Sequence, residues 1–426
     1  MLEIYFETYG CTANYNSSEI MKGLLKQAGL NLTNNSNFAD FIVINSCIVK
    51  EPTEEKIRRK VFDFLKDGKK IILTGCMPRL NRQKLQYPNL YLLDTSHVKD
   101  IINLIRDIKS NRYDEDKYLK SRKEIKLKLP KVPKEKFIGI TQISEGCLGN
   151  CSYCATRLAK GKLFSYPIEK IIENVKKDLD SGCKEIWLTS QDCASYGNDF
   201  GEYLLPTLLK EILKIKKRFF LRVGMMNPNN VLKILKELVK IYQNDKMFKF
   251  LHIPIQSGSN KILKDMNRLY KVKDFMKIIN CFKKEFPKMH ISTDIIVGYP
   301  TETEENFNET YELVREIFPE TINVSKYWPR AGTSAFKLKN LSNEIRSKRA
   351  VKLLKLHKDI CNEKQEEFFG EEFDVLVDSK GFPGTFLARD INYKLFAVQS
   401  KKNILGKKVK VCVRKITPHY LIGEVV

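Results

Sequence analysis

The sequence predicts an α/β protein of three parts: a parallel α/β domain at the amino terminus, a partial (β/α) barrel in the middle and a small all-β barrel at the carboxyl terminus. Three observations support this prediction. Apolar strands alternate with helical patterns over the first part, the alternation resumes with a longer period in the second, and only short strands with Gly, Pro and Asn turns follow in the third. The expected boundaries are 1–110 for the first domain, 111–136 for a charged linker, 137–362 for the barrel and 363–426 for the terminal barrel.

The first domain shows short apolar runs that are separated by helical patterns. We expect strands at LEIYFET, FIVIN, KIILT and LYLLD, with helices from Ser17 to Ala28 and from Thr53 to Leu65. Strands that are separated by helices pair in parallel. The linker that follows is rich in charged residues around Pro130 and Pro133, which predicts an exposed connector.

The middle and terminal parts differ in their periodicity. In the middle, GITQIS, EIWLTS, FFLRVGM, FLHIPIQ and ISTDIIVG alternate with amphipathic helices such as Ile168 to Leu179 and Val272 to Phe286, a pattern typical of a β/α barrel. The terminal part contains DVLVDS, GTFLARD, KLFAVQS, KKVKVCVRKI and YLIGEVV without a long helix, which predicts a small closed sheet.

Composition limits the class of partner. The 75 Lys and Arg residues exceed the 51 Asp and Glu residues by 24, which favours a polyanion such as nucleic acid, although a general bias toward Lys also contributes. No apolar run is long enough to span a membrane, and the first residues read as a strand rather than a signal peptide. We therefore expect a cytoplasmic protein without a membrane partner, which we take to be a monomer. Its 11 cysteines are not expected to form disulfides: clustered ones are expected to bind metal or to catalyse, and those without ligand spacing to pack in the interior.

One loop carries three closely spaced cysteines, Cys147, Cys151 and Cys154, directly after the strand GITQIS. Three thiolates on one tight loop can hold three corners of an iron-sulfur cube and leave the fourth iron open to a ligand. A zinc site is the alternative, but zinc requires a fourth ligand nearby and the next cysteine, Cys183, lies at the start of another strand. The spacing favours an iron-sulfur cluster.

Three further cysteines each follow a strand of the first domain. Cys11 comes after LEIYFET, Cys47 after FIVIN and Cys76 after KIILT. Ligands of open α/β sheets gather outside the carboxyl ends of parallel strands, so we expect these thiols to converge at one edge of the sheet. Three buried structural cysteines are the alternative. The repeated position beyond each strand favours a second metal site.

These motifs resemble those of known enzymes. GCLGNCSYC, with Tyr153 before the last cysteine, resembles the signature of the radical S-adenosylmethionine superfamily. Together with YGCTAN, NSCIVKEPTEEK, LTGCMPR and the terminal β-barrel, it resembles the methylthiotransferase family over essentially the whole chain. NSCIVKEPTE and LTSQDCASYG are most similar to the archaeal and eukaryotic branch, which usually carries Thr where this chain has Cys193. The sequence does not assign a role to Cys193.

The resemblance implies a function. Members of that branch convert N6-threonylcarbamoyladenosine beside the tRNA anticodon to its 2-methylthio derivative: a radical removes the adenine C2 hydrogen, and a methylthio group comes from an auxiliary cluster. The resemblance implies two 4Fe-4S clusters, one on Cys147, Cys151 and Cys154 and an auxiliary one on Cys11, Cys47 and Cys76, with two S-adenosylmethionine molecules consumed per product. It also implies an electron donor, a sulfur source and a TRAM-like RNA-binding tail that binds the tRNA anticodon loop. No side chain is assigned as a general base.

The remaining candidate residues lie at strand ends and in the basic tail. S-adenosylmethionine is expected to contact strand ends of the barrel at Tyr153, Ser190, Gln191, Arg222, Gln256 and Asp294. Arg222 is expected to pair with the carboxylate of its methionine part, because a guanidinium group matches that geometry. RNA is expected to contact Lys401, Lys402, Lys407, Lys408, Lys410, Arg414 and Lys415, among which Phe382, Phe386, Tyr393 and Phe396 supply aromatic rings.

Two alternatives remain open at this stage. Relatives within the same family act on N6-isopentenyladenosine of tRNA or on an aspartate of a ribosomal protein. A protein of another class, a non-catalytic iron-sulfur redox sensor that binds RNA, would share the cysteines and the basic tail.

Overall fold

Five parallel strands form the amino-terminal sheet of the computed structural model, which describes residues 2–82 and 85–426. The strands are β1 (Glu3–Thr8), β2 (Asn31–Thr33), β3 (Phe41–Ser46), β4 (Lys70–Gly75) and β5 (Leu90–Leu92). Their order is β2-β1-β3-β4-β5, and every neighbouring pair is parallel. The expected strands are present, while β2 is an additional strand whose three residues are too few to produce a periodic signal.

Helices cover both faces of this sheet. They are α1 (Thr12–Gln27), α2 (Glu51–Lys66), α3 (Met77–Asn81) and α4 (Ile101–Lys109). The apolar residues divide into two clusters, one on each face, which is why β3 is buried along its whole length. After β1 the chain pairs first on one side through β2 and then on the other through β3. This reversal is the topological switch point at which doubly wound sheets bind ligands.

The linker expected to be exposed is exposed at about half of its residues, and other parts of it pack against both larger domains. It contains a short helix, α5 (Glu115–Leu119), and the side chains of Tyr118 and Lys126 are fully buried. The Lys126 ammonium forms an ion pair with Glu145 of the barrel, and the backbone of α1 at Glu19 accepts a hydrogen bond from the Val132 amide at 2.9 Å. The expectation of an exposed connector holds for about half of the segment and fails at Tyr118, Glu124, Lys126 and Leu127, because charge composition does not show which charges are paired in the interior.

The middle domain contains six principal parallel strands and a short hairpin. The principal strands are β6 (Ile138–Gln142), β9 (Glu185–Thr189), β10 (Phe220–Val223), β11 (Phe250–His252), β12 (His290–Val297) and β13 (Thr321–Lys326), while β7 (Ser144–Glu145) pairs with β8 (Phe164–Ser165). The six principal strands form two sheets, β6-β9-β10 and β11-β12-β13. A parallel bridge between Leu221 and Met247 joins β10 to the segment just before β11. This arrangement confirms the partial barrel and adds β13, which was not among the expected strands.

Eight helices of the described chain accompany these strands. They are α6 (Thr156–Lys160), α7 (Ile168–Asp180), α8 (Leu205–Leu213), α9 (Pro228–Tyr242), α10 (Asn260–Asp265), α11 (Val272–Glu285), α12 (Glu304–Ile317) and α13 (Asn343–Glu366). The ends of α7 and α11 differ from the expected ones by a single residue, because apolar residues with helical spacing mark the face that packs on the barrel.

The terminal domain is a closed five-stranded barrel. Its strands are β14 (Glu372–Lys380), β15 (Thr385–Arg389), β16 (Leu395–Gln399), β17 (Lys408–Ile416) and β18 (Leu421–Val425), in the order β14-β15-β16-β18-β17. Only β16 and β18 pair in parallel. The fold class predicted from sequence is therefore confirmed in all three parts. In the described residues no helix is long and apolar enough to cross a membrane.

The buried ion pair between the linker and the barrel leads to a stability prediction. Replacing Lys126 by Met should lower the free energy of unfolding by ~3 kcal/mol, because the Glu145 carboxylate would keep its buried position without a counter-charge. Lys210→Met, which breaks an exposed pair with Glu237, should change it little. Urea unfolding followed by circular dichroism measures both. Equal stability of the two variants would contradict the structural role given to Lys126.

Candidate metal and cofactor site

The three cysteines of the first domain lie at one edge of its sheet. Cys47 and Cys76 are the residues after Ser46 and Gly75, which are paired in register, and the Cys76 amide donates to the Ser46 carbonyl at 3.0 Å. Cys11 follows β1, which adjoins β3 at the switch point. The thiols are close enough for Cys11 to affect the pKa of both Cys47 and Cys76. The three cysteines thus follow adjacent strands at the same edge of the sheet, as expected for residues at the carboxyl ends of parallel strands.

Two glycines allow this close approach. Gly10 has φ +97°, and a Cβ atom at this residue would lie 2.8 Å from the Cys47 sulfur. Gly75 has φ +88°, and a Cβ atom there would lie 2.4 Å from the Ser46 carbonyl oxygen. Both backbone conformations are disfavoured for residues with a side chain. The glycines of YGC and TGC therefore have a steric reason to precede the cysteines.

A buried polar network that the sequence reading missed holds the same loops. The Asn14 side-chain amide donates to the carbonyls of Tyr9 and Ser46, at 2.9 Å each. The Asn45 amide donates to the Asn14 carbonyl at 2.8 Å, and the Ser46 hydroxyl accepts from the Met77 amide at 3.1 Å. These bonds satisfy buried backbone groups where the strands end. The available signal was Asn14, three residues after Cys11, and the pair Asn45 and Ser46 directly before Cys47.

Burial and nearby cations act in opposite directions on these thiols. Burial raises the pKa of Cys47, and it raises the pKa of Cys76 to about 12. Lys160 lies near both sulfur atoms and acts to lower these pKa values. Metal coordination requires thiolates, so a bound metal would have to outweigh the effect of burial on Cys47 and Cys76.

The second trio lies on a loop that is tied to the barrel. The Cys147 amide donates to the Gly161 carbonyl at 3.2 Å, and the Cys147 sulfur accepts from the Gly149 amide at 3.2 Å. Gly146, with φ +73°, packs so tightly that a Cβ atom would lie 2.1 Å from the Lys162 carbonyl oxygen. The Ser152 amide donates to the Met266 carbonyl at 3.1 Å. The loop is thereby fixed between the β7-β8 hairpin and the end of α10.

Arg268 is a further residue that the sequence reading missed. Its guanidinium donates to the Cys151 sulfur at 3.1 Å, to Asn227 Oδ1 at 2.8 Å and to the Tyr270 hydroxyl at 3.0 Å. A guanidinium group can thus supply a charge-assisted hydrogen bond to this sulfur atom. Arg268 lies 114 positions after Cys154 in the sequence, so only the fold shows this contact.

Helix α6 joins the two trios. It begins two residues after Cys154, and Ala155 and Ala159 pack in the same apolar cluster as Cys76 and Met77 of the first domain. Lys160, at its end, donates to the Thr95 hydroxyl at 2.6 Å. Burial acts to lower the pKa of Lys160, but Cys76 and other anionic groups outweigh it and raise that pKa. Helix α6 therefore packs the loop of the second trio directly against the domain that holds the first.

Three of the six residues expected to contact S-adenosylmethionine lie near the second trio. Tyr153 packs against the apolar cluster that contains Met266 and Tyr299. The Ser190 hydroxyl accepts from the Asp192 amide at 3.1 Å, and Oε1 of Gln191 is buried without a hydrogen-bond partner in the described chain. Asp192 acts electrostatically on Cys147, which places this strand end beside the loop.

Gln256 and Asp294 lie together where β11 and β12 approach each other. Gln256 has φ +70°, uncommon for a residue with a side chain, and its amide donates to the Asp294 carbonyl at 2.8 Å. Burial acts to raise the pKa of Asp294, but hydrogen bonds from His252 and Asn323 lower it overall. Asp294 is thus held as a carboxylate inside the barrel.

The environment of Arg222 differs from the expected one. Its guanidinium lies over the rings of Trp187, Phe250 and Tyr393, at 4.9, 4.6 and 5.2 Å from the ring centroids. Tyr393 comes from the turn between β15 and β16, so the terminal barrel reaches into the middle domain here. Aromatic faces bind guanidinium groups favourably. The pairing of Arg222 with a cofactor carboxylate stays a prediction.

The structure gives Cys193 a packing role. Its side chain is fully buried in the main apolar cluster of the barrel, and its sulfur accepts a hydrogen bond from the Ser190 hydroxyl at 3.4 Å. Burial raises its pKa to about 11. A protonated, enclosed thiol is chemically inert, so the difference from Thr at this position is one of packing.

The seven basic residues expected to bind RNA are all exposed on the terminal barrel. Some have protein contacts: Lys410 pairs with Glu372 at 3.4 Å, Arg414 pairs with Glu424 at 3.6 Å, and the Lys408 ammonium lies 4.5 Å from the centroid of the Phe220 ring. Exposed pairs of this kind are weak and exchange readily with phosphate.

The aromatic residues of the tail are divided between core and surface. Phe396 is fully buried inside the terminal barrel, and Tyr393 contacts Phe248 and Phe250 of the middle domain. Phe382 is 82% exposed. Of the three, only Phe382 is therefore available to stack on a base.

Family comparisons agree with this architecture. The description "Radical SAM superfamily" matches residues 141–314, "Uncharacterized protein family UPF0004" matches residues 3–92 and "TRAM domain" matches residues 367–426. Among solved structures, the radical S-adenosylmethionine methyltransferase TsrM from Kitasatospora setae, with cobalamin and a [4Fe-4S] cluster bound, aligns with a TM-score of 0.56 and 10% identity, over 79% of this chain and 77% of that one. At that identity the similarity concerns the fold alone.

Curated relatives match over the full length. "Probable threonylcarbamoyladenosine tRNA methylthiotransferase" of Pyrococcus horikoshii is 39% identical over 427 residues and covers 100% of both chains. "Threonylcarbamoyladenosine tRNA methylthiotransferase" of Homo sapiens is 33% identical over 432 residues, 99% of this chain and 74% of the human one. With both cysteine trios, the barrel and the terminal β-barrel in place, the chain belongs to the threonylcarbamoyladenosine tRNA methylthiotransferase family of the radical S-adenosylmethionine superfamily.

Proposed function

We propose that this protein is a tRNA methylthiotransferase that converts N6-threonylcarbamoyladenosine next to the anticodon to its 2-methylthio derivative. The observation that carries the proposal is the packing of α6, which brings the three cysteines of the first domain and the three of the barrel loop to one region. A reaction that combines a radical with a sulfur donor at one base requires both groups at the same place.

We assign two 4Fe-4S clusters to these residues, one to Cys11, Cys47 and Cys76 and the other to Cys147, Cys151 and Cys154. All six cysteines are free thiols. No three His, Cys, Asp or Glu side chains of the described residues are grouped tightly enough for a single metal ion. A cube differs from a single ion because each thiolate binds a different iron atom, so its ligands stand farther apart.

When bound, the clusters and S-adenosylmethionine supply a carbon radical that can remove the adenine C2 hydrogen and the sulfur that replaces it. The chain orients these groups. Arg268 donates to the Cys151 sulfur, and Asn14 and Ser46 fix the loops of the other trio. We assign contacts with S-adenosylmethionine to Tyr153, Ser190, Gln191, Arg222, Gln256 and Asp294. Arg222 fits this assignment least, because aromatic rings already surround its guanidinium.

The terminal barrel supplies the RNA contact in this proposal. Its exposed cations can bind the phosphates of the anticodon loop, and Phe382 can stack on an unpaired base. The RNA contacts are assigned to Lys401, Lys402, Lys407, Lys408, Lys410, Arg414 and Lys415. The proposal also requires an electron donor and a sulfur source, and it treats the protein as a monomer.

Replacing Cys11, Cys47 and Cys76 together by Ala should remove about half of the iron and sulfide, because one cluster of two loses its thiolates. The variant should still cleave S-adenosylmethionine to 5′-deoxyadenosine. Iron and sulfide analysis of anaerobically reconstituted protein, with chromatography of the nucleoside product, measures both. A variant lacking Cys281, Cys361 and Cys412 is the control and should keep all its iron. Full iron content in the first variant would contradict the ligand assignment.

The substrate assignment predicts a specific product. The reconstituted protein, supplied with S-adenosylmethionine, a strong reductant and an anticodon stem-loop carrying N6-threonylcarbamoyladenosine, should form the 2-methylthio nucleoside together with 5′-deoxyadenosine. Mass spectrometry of the digested RNA detects this product. Conversion only of an N6-isopentenyladenosine stem-loop, or of an aspartate in a ribosomal protein, would favour the alternative substrates. Absence of 5′-deoxyadenosine would favour the redox sensor.

A further inference from the structure

A cavity of about 320 Å³ lies between the first domain and the barrel. Three elements line it: the start of α2 at Lys50 and Glu51, the end of β13 at Ser325 and Lys326, and the first turns of α13 at Ser347. Its volume is at the lower end of the range for small-molecule sites and suits a substituent rather than a whole nucleotide. None of the residues assigned above to a cluster, to S-adenosylmethionine or to RNA lines this cavity.

Positive charge predominates around the cavity. The Lys326 ammonium donates only to neutral oxygens, Asn343 Oδ1 at 3.1 Å and Ser347 Oγ at 3.2 Å. Within the described residues neither Lys50 nor Lys326 forms an ion pair with a carboxylate. One carboxylate, Glu51, lines the cavity: burial and the neighbouring Glu55 raise its pKa, whereas Lys326, Arg346 and Arg330 act in the opposite direction. Arg330 is itself paired with Glu54, so the cations that face the cavity from its lining are Lys50 and Lys326. The surplus of cations favours an anionic occupant.

The remaining walls suit a small amphipathic group. Val324, Ala350 and Val351 provide apolar surface, and the hydroxyls of Ser325 and Ser347 provide hydrogen-bonding groups. A threonyl group offers the matching set: a carboxylate, a hydroxyl and a methyl. An isopentenyl group has no anionic or hydrogen-bonding atom for these ammonium and hydroxyl groups, and a site built for polar recognition rejects ligands that leave its polar atoms unpaired.

The cavity also lies where an N6 substituent would be expected. Lys50 follows Cys47 by three residues, and Lys326 ends the last strand of the partial barrel. Lys50 also acts electrostatically on Asp294 inside the barrel. On adenine, C6 and its N6 substituent are separated from C2 by a single ring nitrogen, so the substituent projects to the side of the reacting carbon. A cavity beside the region shared by the trios meets that requirement.

We propose that this cavity binds the threonylcarbamoyl substituent of the adenine, with its carboxylate held between the ammonium groups of Lys50 and Lys326. The inference rests on the proposed function and adds to it the residues that determine specificity. Lys50 comes from the domain with the first trio and Lys326 from the domain with the second. Recognition of the substituent thus requires both domains to be in place.

The test compares RNA binding by reconstituted wild-type protein and the Lys50→Gln/Lys326→Gln variant. Fluorescence anisotropy is measured with stem-loops that differ only at one nucleoside: adenosine, N6-threonylcarbamoyladenosine or N6-isopentenyladenosine. The wild-type protein should prefer the threonylcarbamoyl stem-loop over the unmodified one by about tenfold, and the variant should lose this preference without losing affinity for unmodified RNA. Lys348→Gln, an exposed lysine of α13 outside the cavity lining, should retain it.

Two results would overturn the inference. In the first, the Lys50→Gln/Lys326→Gln variant keeps the full preference for the threonylcarbamoyl stem-loop. The other is an equal loss of affinity for all three stem-loops, which would indicate that the lysines contact phosphates. The wild-type product separates this failure from failure of the proposed function. If the wild-type protein forms the 2-methylthio nucleoside and the double variant keeps its preference, the role of the cavity is rejected and the proposed function stands. If the wild-type protein converts only the isopentenyl stem-loop, the proposed function is rejected as well.

Discussion

The packing of α6 against the first domain is the contact on which the arrangement of the active region depends. Ala155 directly follows Cys154, and both Ala155 and Ala159 lie in the apolar cluster that contains Cys76. A shift of this short helix would move one cysteine trio relative to the other. Small side chains at both positions allow the close approach, and burial of their apolar surface together with that of Met77 stabilises it.

Cations distributed around the trios offset the cost of burying thiolates. Arg268 contacts a sulfur atom of the barrel loop, and Lys160 lies close to the sulfur atoms of the first domain. Neither lies on a strand that carries a cysteine. Hydrogen bonds and charges near the sulfur atoms of an iron-sulfur cluster influence its reduction potential. The two trios differ in this respect, with a direct guanidinium contact at one and a more distant ammonium at the other.

The terminal barrel contributes to the middle domain as well as to RNA binding. Tyr393 inserts among Trp187, Phe250 and Arg222 inside the partial barrel, and Arg389 pairs with Asp378 beside it. The aromatic faces and the two guanidinium groups form a mixed cluster in which each cation lies over the Tyr393 ring. These contacts hold the terminal barrel, and with it the exposed cations to which RNA binding is assigned, against the strands of the middle domain.

The sequence by itself determined the three-part fold, the position of each cysteine after a strand and the family, because strand and helix periodicity and the spacing of Cys147, Cys151 and Cys154 are local properties of the chain. Its interpretation of the linker failed at Lys126, whose charge is paired in the interior. Only the tertiary structure decided that Arg268 contacts a cysteine and that Lys50 and Lys326 line one cavity. Such pairs are distant in sequence, and only strand order and domain packing determine which of them meet.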